Sequence, residues 1–349
     1  MTPRKTPSAW HSPRLAEGSA LLGALLTVAL VAAFASQAYW QEWRSIANET
    51  SDRSRLEAGW LLNGTHDWAR ARLRDDAQRS VAVDHAGETW AQPINNMPLA
   101  TFLAGSGATD VLASADAGVT VPEASLPAAF FLSQQLSDAQ GKMNVLNLLE
   151  GQAISSLWLQ AFNKLFEVLK LPQEQLVTLS NNLRLVSAAL SPAGVAGTAS
   201  AGSVLLPQQA TQLVWLGLAP ATLDALQAHV TLLPSRTPVN LNTASIEVLQ
   251  SMLPSFKRGD AERIVALRQS KPLQSVADAG ISDQMGERQY SVSSRFFELH
   301  TEIGLGSVSV AENALLQREG VNVRTLWRRR AVPTKNSWRN KSMSVQQKS

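Results

Sequence analysis

Residues 18–40 read GSALLGALLTVALVAAFASQAYW, and the kind of segment they form decides how the other residues are organised. From Ser19 to Ser36 there are 18 consecutive uncharged residues, and the next charge is Glu42. At ~1.5 Å of rise per residue, such a helix spans or nearly spans a bilayer core of ~30 Å. Arg4, Lys5 and Arg14 precede the run against Glu17 alone, so the N-terminus is expected to stay cytoplasmic and the remainder to face outward. Tyr39, Trp40 and Trp43 fall where an aromatic belt meets the far interface. A cleaved signal peptide is one reading, with Ala33-Phe34-Ala35 or Ser36-Gln37-Ala38 as the small-residue site, although the run exceeds the usual ~7–15-residue apolar region. An uncleaved signal anchor is another.

The chain has 349 residues, 45% hydrophobic and 17% charged, a globular composition with room for two or three domains. It has no cysteine, which excludes disulfides and thiolate metal sites. The pI of about 9.3 invites a nucleic-acid reading, but the charge is terminal. Residues 1–18 carry net +2 and residues 328–349 net +7, which leaves −6 for residues 19–327. The folded body is therefore expected to be acidic, with 328–349 a basic, disordered tail.

Along the chain, Leu56, Trp60, Gly64, Trp68 and Ala71 recur at helical spacing and predict an amphipathic continuation of the anchor. Residues 91–124 read as loop. Residues 129–136 (AFFLSQQL) predict a strand, and Ser137–Gly141 a turn. A helical block follows. Trp158, Phe162, Leu165 and Leu169 form one stripe, and Leu176, Leu179, Leu183, Val186 and Leu190 another. Pro220 stands at a first-turn position of a later short helix. Residues 238–280 suggest a helix–hairpin–helix, with Asn242 or Thr243 capping its first helix. Strands are expected over 296–303 and 321–327, with 307–318 between them and Glu319-Gly320 turning the hairpin. This order is best explained by an α+β domain interrupted by an all-α insertion, because one strand and one hairpin make poor separate sheets.

No catalytic constellation is present. His11, His66, His85, His229 and His300 are isolated in sequence, and phosphate-loop, dinucleotide, nucleophile-elbow and zinc-helix motifs are absent. Asp75 and Asp76 diverge by about 100° on a helix and read as surface solvation. The chain is expected not to be an enzyme and to have no small-molecule substrate. Residues 238–280 are the alternative, a membrane-anchored DNA-binding unit. Their turn lacks closely spaced glycines, and residues 236–288 hold seven basic against six acidic side chains, a weak balance for phosphate. Nucleic acid is therefore not expected as a partner.

Several stretches together resemble the minor pseudopilin K family of type II secretion systems (general secretion pathway protein K). They are the Gly18–Ser19 junction with its apolar run, Trp60–Arg70 (WLLNGTHDWAR), and Asp84–Pro93 (DHAGETWAQP). Leu136–Asn144 (LSDAQGKMN), Asn240–Ser245 (NLNTAS) and the strands between Phe296 and Trp327 complete the set. The resemblance implies cleavage by a prepilin peptidase between Gly18 and Ser19, with the apolar helix kept on the mature protein. It implies a pilin-like antiparallel sheet packed on the anchor or spine helix, split by an α-helical insertion with SAM-like folds. On that plan, 1–18 is a cytoplasmic leader, 19–40 the transmembrane helix, and 41–149 the first part of the pilin-like domain. Residues 150–288 form the insertion, 289–327 the closing strands, and 328–349 the tail. The implied place is the inner membrane, single-pass, with most of the chain periplasmic, at the tip of a pseudopilus with minor pseudopilins I and J. Most pilins carry a glutamate at the fifth mature position. Here it is Gly23, an absence the family shares. Family members can also bind calcium through clustered carboxylates. The nearest cluster here, Asp278, Asp283 and Glu287, lacks the dense oxygen set calcium requires, so no cofactor is expected.

Overall fold

The computed structural model describes residues 18–79, 82–99, 101–102, 130–189, 207–252, 257–281, 289–305 and 308–333. Two compact units result, Met1–Glu57 and Ala58–Ser349.

In the first unit, the N-terminal part of helix α1 (Gly18–Arg79) is continuous, with no proline to interrupt it. Its side chains from Ala20 to Thr50 are exposed.

The second unit contains a five-stranded antiparallel sheet in sequential order. Its strands are β1 (Ile94–Pro98), β2 (Phe130–Asp138), β3 (Phe296–Leu305), β4 (Val308–Glu319) and β5 (Asn322–Ala331). Period-two alternation sorts their side chains. Phe297, Leu299, Ala314, Leu316 and Val323 share one core with Ala69, Leu73 and Trp90, whereas Phe296 and Leu315 pack on the other face with Ala139 and Leu233. Gly320, at φ +57°, opens the two-residue turn between β4 and β5, a left-handed conformation that glycine accepts without a Cβ clash.

Four expectations for α1 and the sheet change. Residues 307–318 are not a link, since most of them form the longest strand, β4. Glu312, Asn313 and Gln317 mask its alternation. Part of the 91–124 loop is strand β1, while 103–124 lies outside the described residues. Strand β5 continues through Ala331, so the first residues assigned to the tail belong to the sheet, paired from Ala314↔Arg328 to Ala311↔Ala331. The buried face of α1 is also different. Leu56 and Trp60 are 67% and 76% exposed, whereas Ala58, Leu62, Thr65, His66, Ala69, Leu73, Asp76 and Ala77 are buried. Small residues let a helix approach a sheet closely, and a hydropathy stripe gives them no weight.

The helical block contains α2 (Ser156–Val168), α3 (Gln173–Ala189), α4 (Pro220–Leu226), α5 (Ile246–Met252) and α6 (Arg258–Ser270). Most of the expected stripes form its core: Trp158, Phe162 and Leu165 pack with Leu176, Leu179, Leu183, Val248, Leu249 and Ile264, Leu169 is partly buried against them, and Leu190 lies outside the described residues. Pro220 stands in the first turn of α4 as expected. Met143, Val145, Leu148, Leu149 and Tyr290 join this core, so it begins before residue 150 and ends after residue 288. Helix α5 is capped by Ser245, whose Oγ accepts the Val248 N–H at 3.3 Å. Asn242 and Thr243 are not its caps, because both side chains are engaged elsewhere.

Candidate functional site

Two regions carry the candidate function, the exposed part of α1 and a buried polar joint in the second unit. Among the described residues, helix α1 already includes Gly18 and Ser19, and Gly23 lies about one turn further on. Residues 1–17 of the expected leader lie outside the described residues. Leu21, Leu22, Leu25, Leu26, Val28, Leu30, Val31 and Phe34 are all more than half exposed. So continuous an apolar surface is not stable in water and matches a lipid or helix-lined environment. A Cβ built on Gly23 meets nothing within 4 Å. The missing carboxylate there is therefore not a steric requirement of this fold. Beyond the run, the Trp40 and Trp43 rings meet edge to face at 5.9 Å, and the Arg44 guanidinium lies 5.3 Å from the Trp40 ring centre. An aromatic pair with a cation suits a membrane–water boundary.

The joint is built where three of the resembling stretches meet. Asp138 ends β2 and is buried. Its Oδ2 accepts from Thr243 Oγ1 at 2.6 Å, Ser294 Oγ at 2.7 Å and Asn240 Nδ2 at 2.9 Å, while its Oδ1 accepts the Gln140 N–H at 2.7 Å. Asn240 Nδ2 also reaches the Asp84 carbonyl at 3.1 Å. Gln140 ties the other direction, accepting the Arg295 N–H at 2.7 Å. Gly141 is held close to this set: an added Cβ would stand 2.8 Å from Thr243 Oγ1 and 3.1 Å from the Thr243 backbone. Any larger residue would push apart the segments that Asp138 draws together.

Beside it, Arg318 of β4 is 3% exposed. Its Nη1 donates to Asp76 at 2.8 Å, and its Nη2 to both Asp84 oxygens at 2.6 Å and to the Ser294 carbonyl at 3.0 Å. Its guanidinium also stacks 4.9 Å from the Phe297 ring centre. Asp76, read from sequence as a solvated surface acid, is thus a buried ion-pair partner. The exposed role falls to Asp75.

Asp76, Asp84 and Glu88 also lie close enough together to suggest a metal site. Arg318 bonds Asp76 and Asp84, and Glu88 Oε2 accepts from the His85 N–H and the Trp90 indole, so these carboxylates are engaged by donors of the chain itself. Of the acids singled out in sequence, Asp278 accepts the N–H groups of Gln274 and Ser275 and caps a short turn. Asp283 and Glu287 lie outside the described residues. Of the turn of the DNA-binding alternative, residues 253–259, the first four lie outside them too, and Arg258 and Gly259 belong to α6. Arg268, counted among its basic residues, is turned to the Leu241 carbonyl at 2.6 Å.

Burial pushes the Asp84 carboxyl up to about 6, against the opposing pull of Arg318. Burial also raises Asp76 and Asp138. A carboxyl held above its unfolded value of about 3.9 keeps its proton more firmly in the fold. Its contribution to stability is therefore complete below that value and is lost as pH rises through about 6. His66 and His229, lowered by burial, act in the opposite sense. Asp84→Asn is expected to flatten the pH dependence of unfolding between about pH 4 and 6. Midpoints measured across that window test this, and parallel curves for wild type and variant would refute it.

Comparison with known proteins agrees with this geometry. The family model described as Type II secretion system (T2SS), protein K matches residues 239–293. Type II secretion system protein K of Pseudomonas aeruginosa is 26% identical over 323 residues, covering 86% of this chain and 88% of the relative. A chain of the crystal structure of the GspK–GspI–GspJ complex, from the type 2 secretion system of enterotoxigenic Escherichia coli, is similar in fold. The TM-score is 0.57 at 16% identity, covering 82% of this chain and 100% of that one.

A helix long and apolar enough to cross a membrane, followed by an antiparallel sheet, makes the chain similar to one class of protein, the components of type II secretion systems. Within that class the chain is related to type II secretion system protein K, a minor pseudopilin. Nothing among the comparisons supports the DNA-binding alternative. The family match falls on the Asn240–Ser245 side of the joint, which spacing alone marked only as a helix–hairpin–helix.

Proposed function

We propose that this chain initiates or caps the tip of a periplasmic pseudopilus as its K subunit, in complex with minor pseudopilins I and J. A prepilin peptidase cleaves between Gly18 and Ser19, and the apolar helix from Ala20 to Trp40 then anchors the mature chain in the inner membrane. The N-terminus is cytoplasmic and the second unit periplasmic. The helical block is the SAM-like insertion, and residues 238–280 are its helix–hairpin–helix, kept as a packing unit.

Gly23 is the observation that carries the tip position. A carboxylate at the fifth mature position would neutralise a neighbouring subunit's N-terminal amine within lipid, where an unpaired charge is costly. Gly23 has open space for a side chain yet offers none, so this subunit suits only the end of a filament. The relative solved together with GspI and GspJ supports the choice of partners.

The N-terminal mass of the protein, with and without prepilin peptidase, tests the reading. Loss of residues 1–18 only when the peptidase is present is expected. Retention of residues 1–18 in both cases, or cleavage beyond Ala35, would overturn it.

A further inference from the structure

Between the loop that follows α1 and the end of α6 lies an open cleft of about 530 Å³, within the ~300–1,000 Å³ range of ligand clefts. His85, Gly87, Thr243, Arg268, Gln269 and Pro272 are among its lining residues, and no carboxylate is. Arg268 gives the cleft its character. Its one bond is from Nη1 to the Leu241 carbonyl at 2.6 Å, and among the described residues no acid pairs with it. A guanidinium has five N–H donors and cannot discharge, so this half-buried cation keeps most of its donors unused. His85 adds another. Its Nδ1 accepts the Gly87 N–H at 3.1 Å, which in the neutral ring places the proton on Nε2 as a donor. Gln269, exposed at the rim, brings an amide.

Donors from two separate segments, one of them a permanent cation without a counter-ion, thus converge on a single opening. Residues 19–327 are net −6, and Arg268 stands in that acidic body with its one bond to a carbonyl. Arginine's fork matches a carboxylate in two parallel bonds. A small inorganic ion would leave most of the cleft to water, whereas an extended segment of a few residues fills it. We propose that this cleft binds the acidic side chain of a partner polypeptide's extended segment. Arg268 grips the carboxylate, with His85 Nε2–H and the Gln269 amide beside it. This goes beyond the assembly reading, which does not specify what any surface of the second unit recognises.

The full-length chain in detergent micelles, labelled with ¹⁵N, would be titrated with acetyl-Ala-Glu-Ala-amide, its glutamine counterpart and inorganic phosphate. The glutamate peptide is expected to shift the Arg268 Nε–H and His85 ring signals saturably, and the glutamine peptide is not. Arg268→Gln should weaken binding about tenfold or more, as loss of a charge-assisted bond does. Gln269→Ala, on the exposed rim, should weaken it about threefold without touching the Leu241 contact. Equal binding of the glutamine peptide, tighter saturation by phosphate, or no saturable shift would each overturn the proposal. None of these outcomes bears on the N-terminal mass, so the assembly reading stands or falls separately.

Discussion

Arg318→Met is expected to cost about 3–5 kcal/mol of folding stability, the range for removing one partner of a buried ion pair. Arg318 is the cation that the buried Asp76 and Asp84 bond directly, at 2.8 and 2.6 Å. Methionine fills comparable volume, so the loss would be electrostatic and not a cavity. Both carboxyls would then be left in low dielectric, where they must either take up protons or remain unpaired. Arg318→Lys should recover only part of the loss, since an ammonium cannot reproduce the fork that bonds both Asp84 oxygens and the Ser294 carbonyl. Urea unfolding followed by tryptophan fluorescence can report this directly, because Trp90 packs edge to face on Phe297 at 5.0 Å, beneath Arg318. A cycle with Asp84→Leu isolates the pair from the rest of the joint. A loss below about 1 kcal/mol for Arg318→Met would show that the pair is no stronger than a surface salt bridge.

The same residues show what a sequence can and cannot disclose. In the sequence, only its neighbour Asp75 and helical geometry bear on Asp76, and both are local. Its partner lies 242 positions away, and no periodicity connects them. The helices of the inserted block were legible for the opposite reason. Leu176, Leu179, Leu183 and Val186 repeat at helical spacing and are all buried as that spacing requires. The buried face of α1 is hidden in the sequence because Leu56 and Trp60 outweigh Ala58 and Ala69 on any hydropathy scale. In the fold, close approach favours the alanines and leaves the large side chains exposed. Strand β4 was hidden in a similar way, since Glu312, Asn313 and Gln317 share a face with buried Ala314 or Leu315.

The stretches that carried the family resemblance were legible as motifs without a visible purpose. Asp84, Asp138, Gln140, Asn240 and Thr243 come from three of them, and the fold brings all five into one hydrogen-bonded set. Their common task is to join the sheet to the inserted block. Each segment alone offers polar side chains that would read as loop or cap. Only their mutual satisfaction explains why buried positions carry asparagine, aspartate and glutamine in place of leucine.

Asp138→Ala follows from that argument as the second large effect, expected to cost at least about 3 kcal/mol. The carboxyl accepts from four donors: a backbone N–H, an amide and two hydroxyls. Alanine would leave the buried Gln140 N–H without its acceptor and weaken the bonding of the other three donors, of which Asn240 Nδ2 keeps the Asp84 carbonyl, and each buried orphan costs about 1–3 kcal/mol before relaxation. The hydroxyls of Thr243 and Ser294 can rotate toward other acceptors, but the Gln140 N–H cannot. Asp138→Asn separates shape from chemistry. It keeps one acceptor oxygen but turns an NH₂ toward groups that are themselves donors, so it should recover only a minority of the loss. The ordering wild type, then asparagine, then alanine in unfolding free energy is the expected outcome. If asparagine matched wild type, the three side-chain donors on Oδ2 would not need a full carboxylate, and one acceptor oxygen would suffice for the joint.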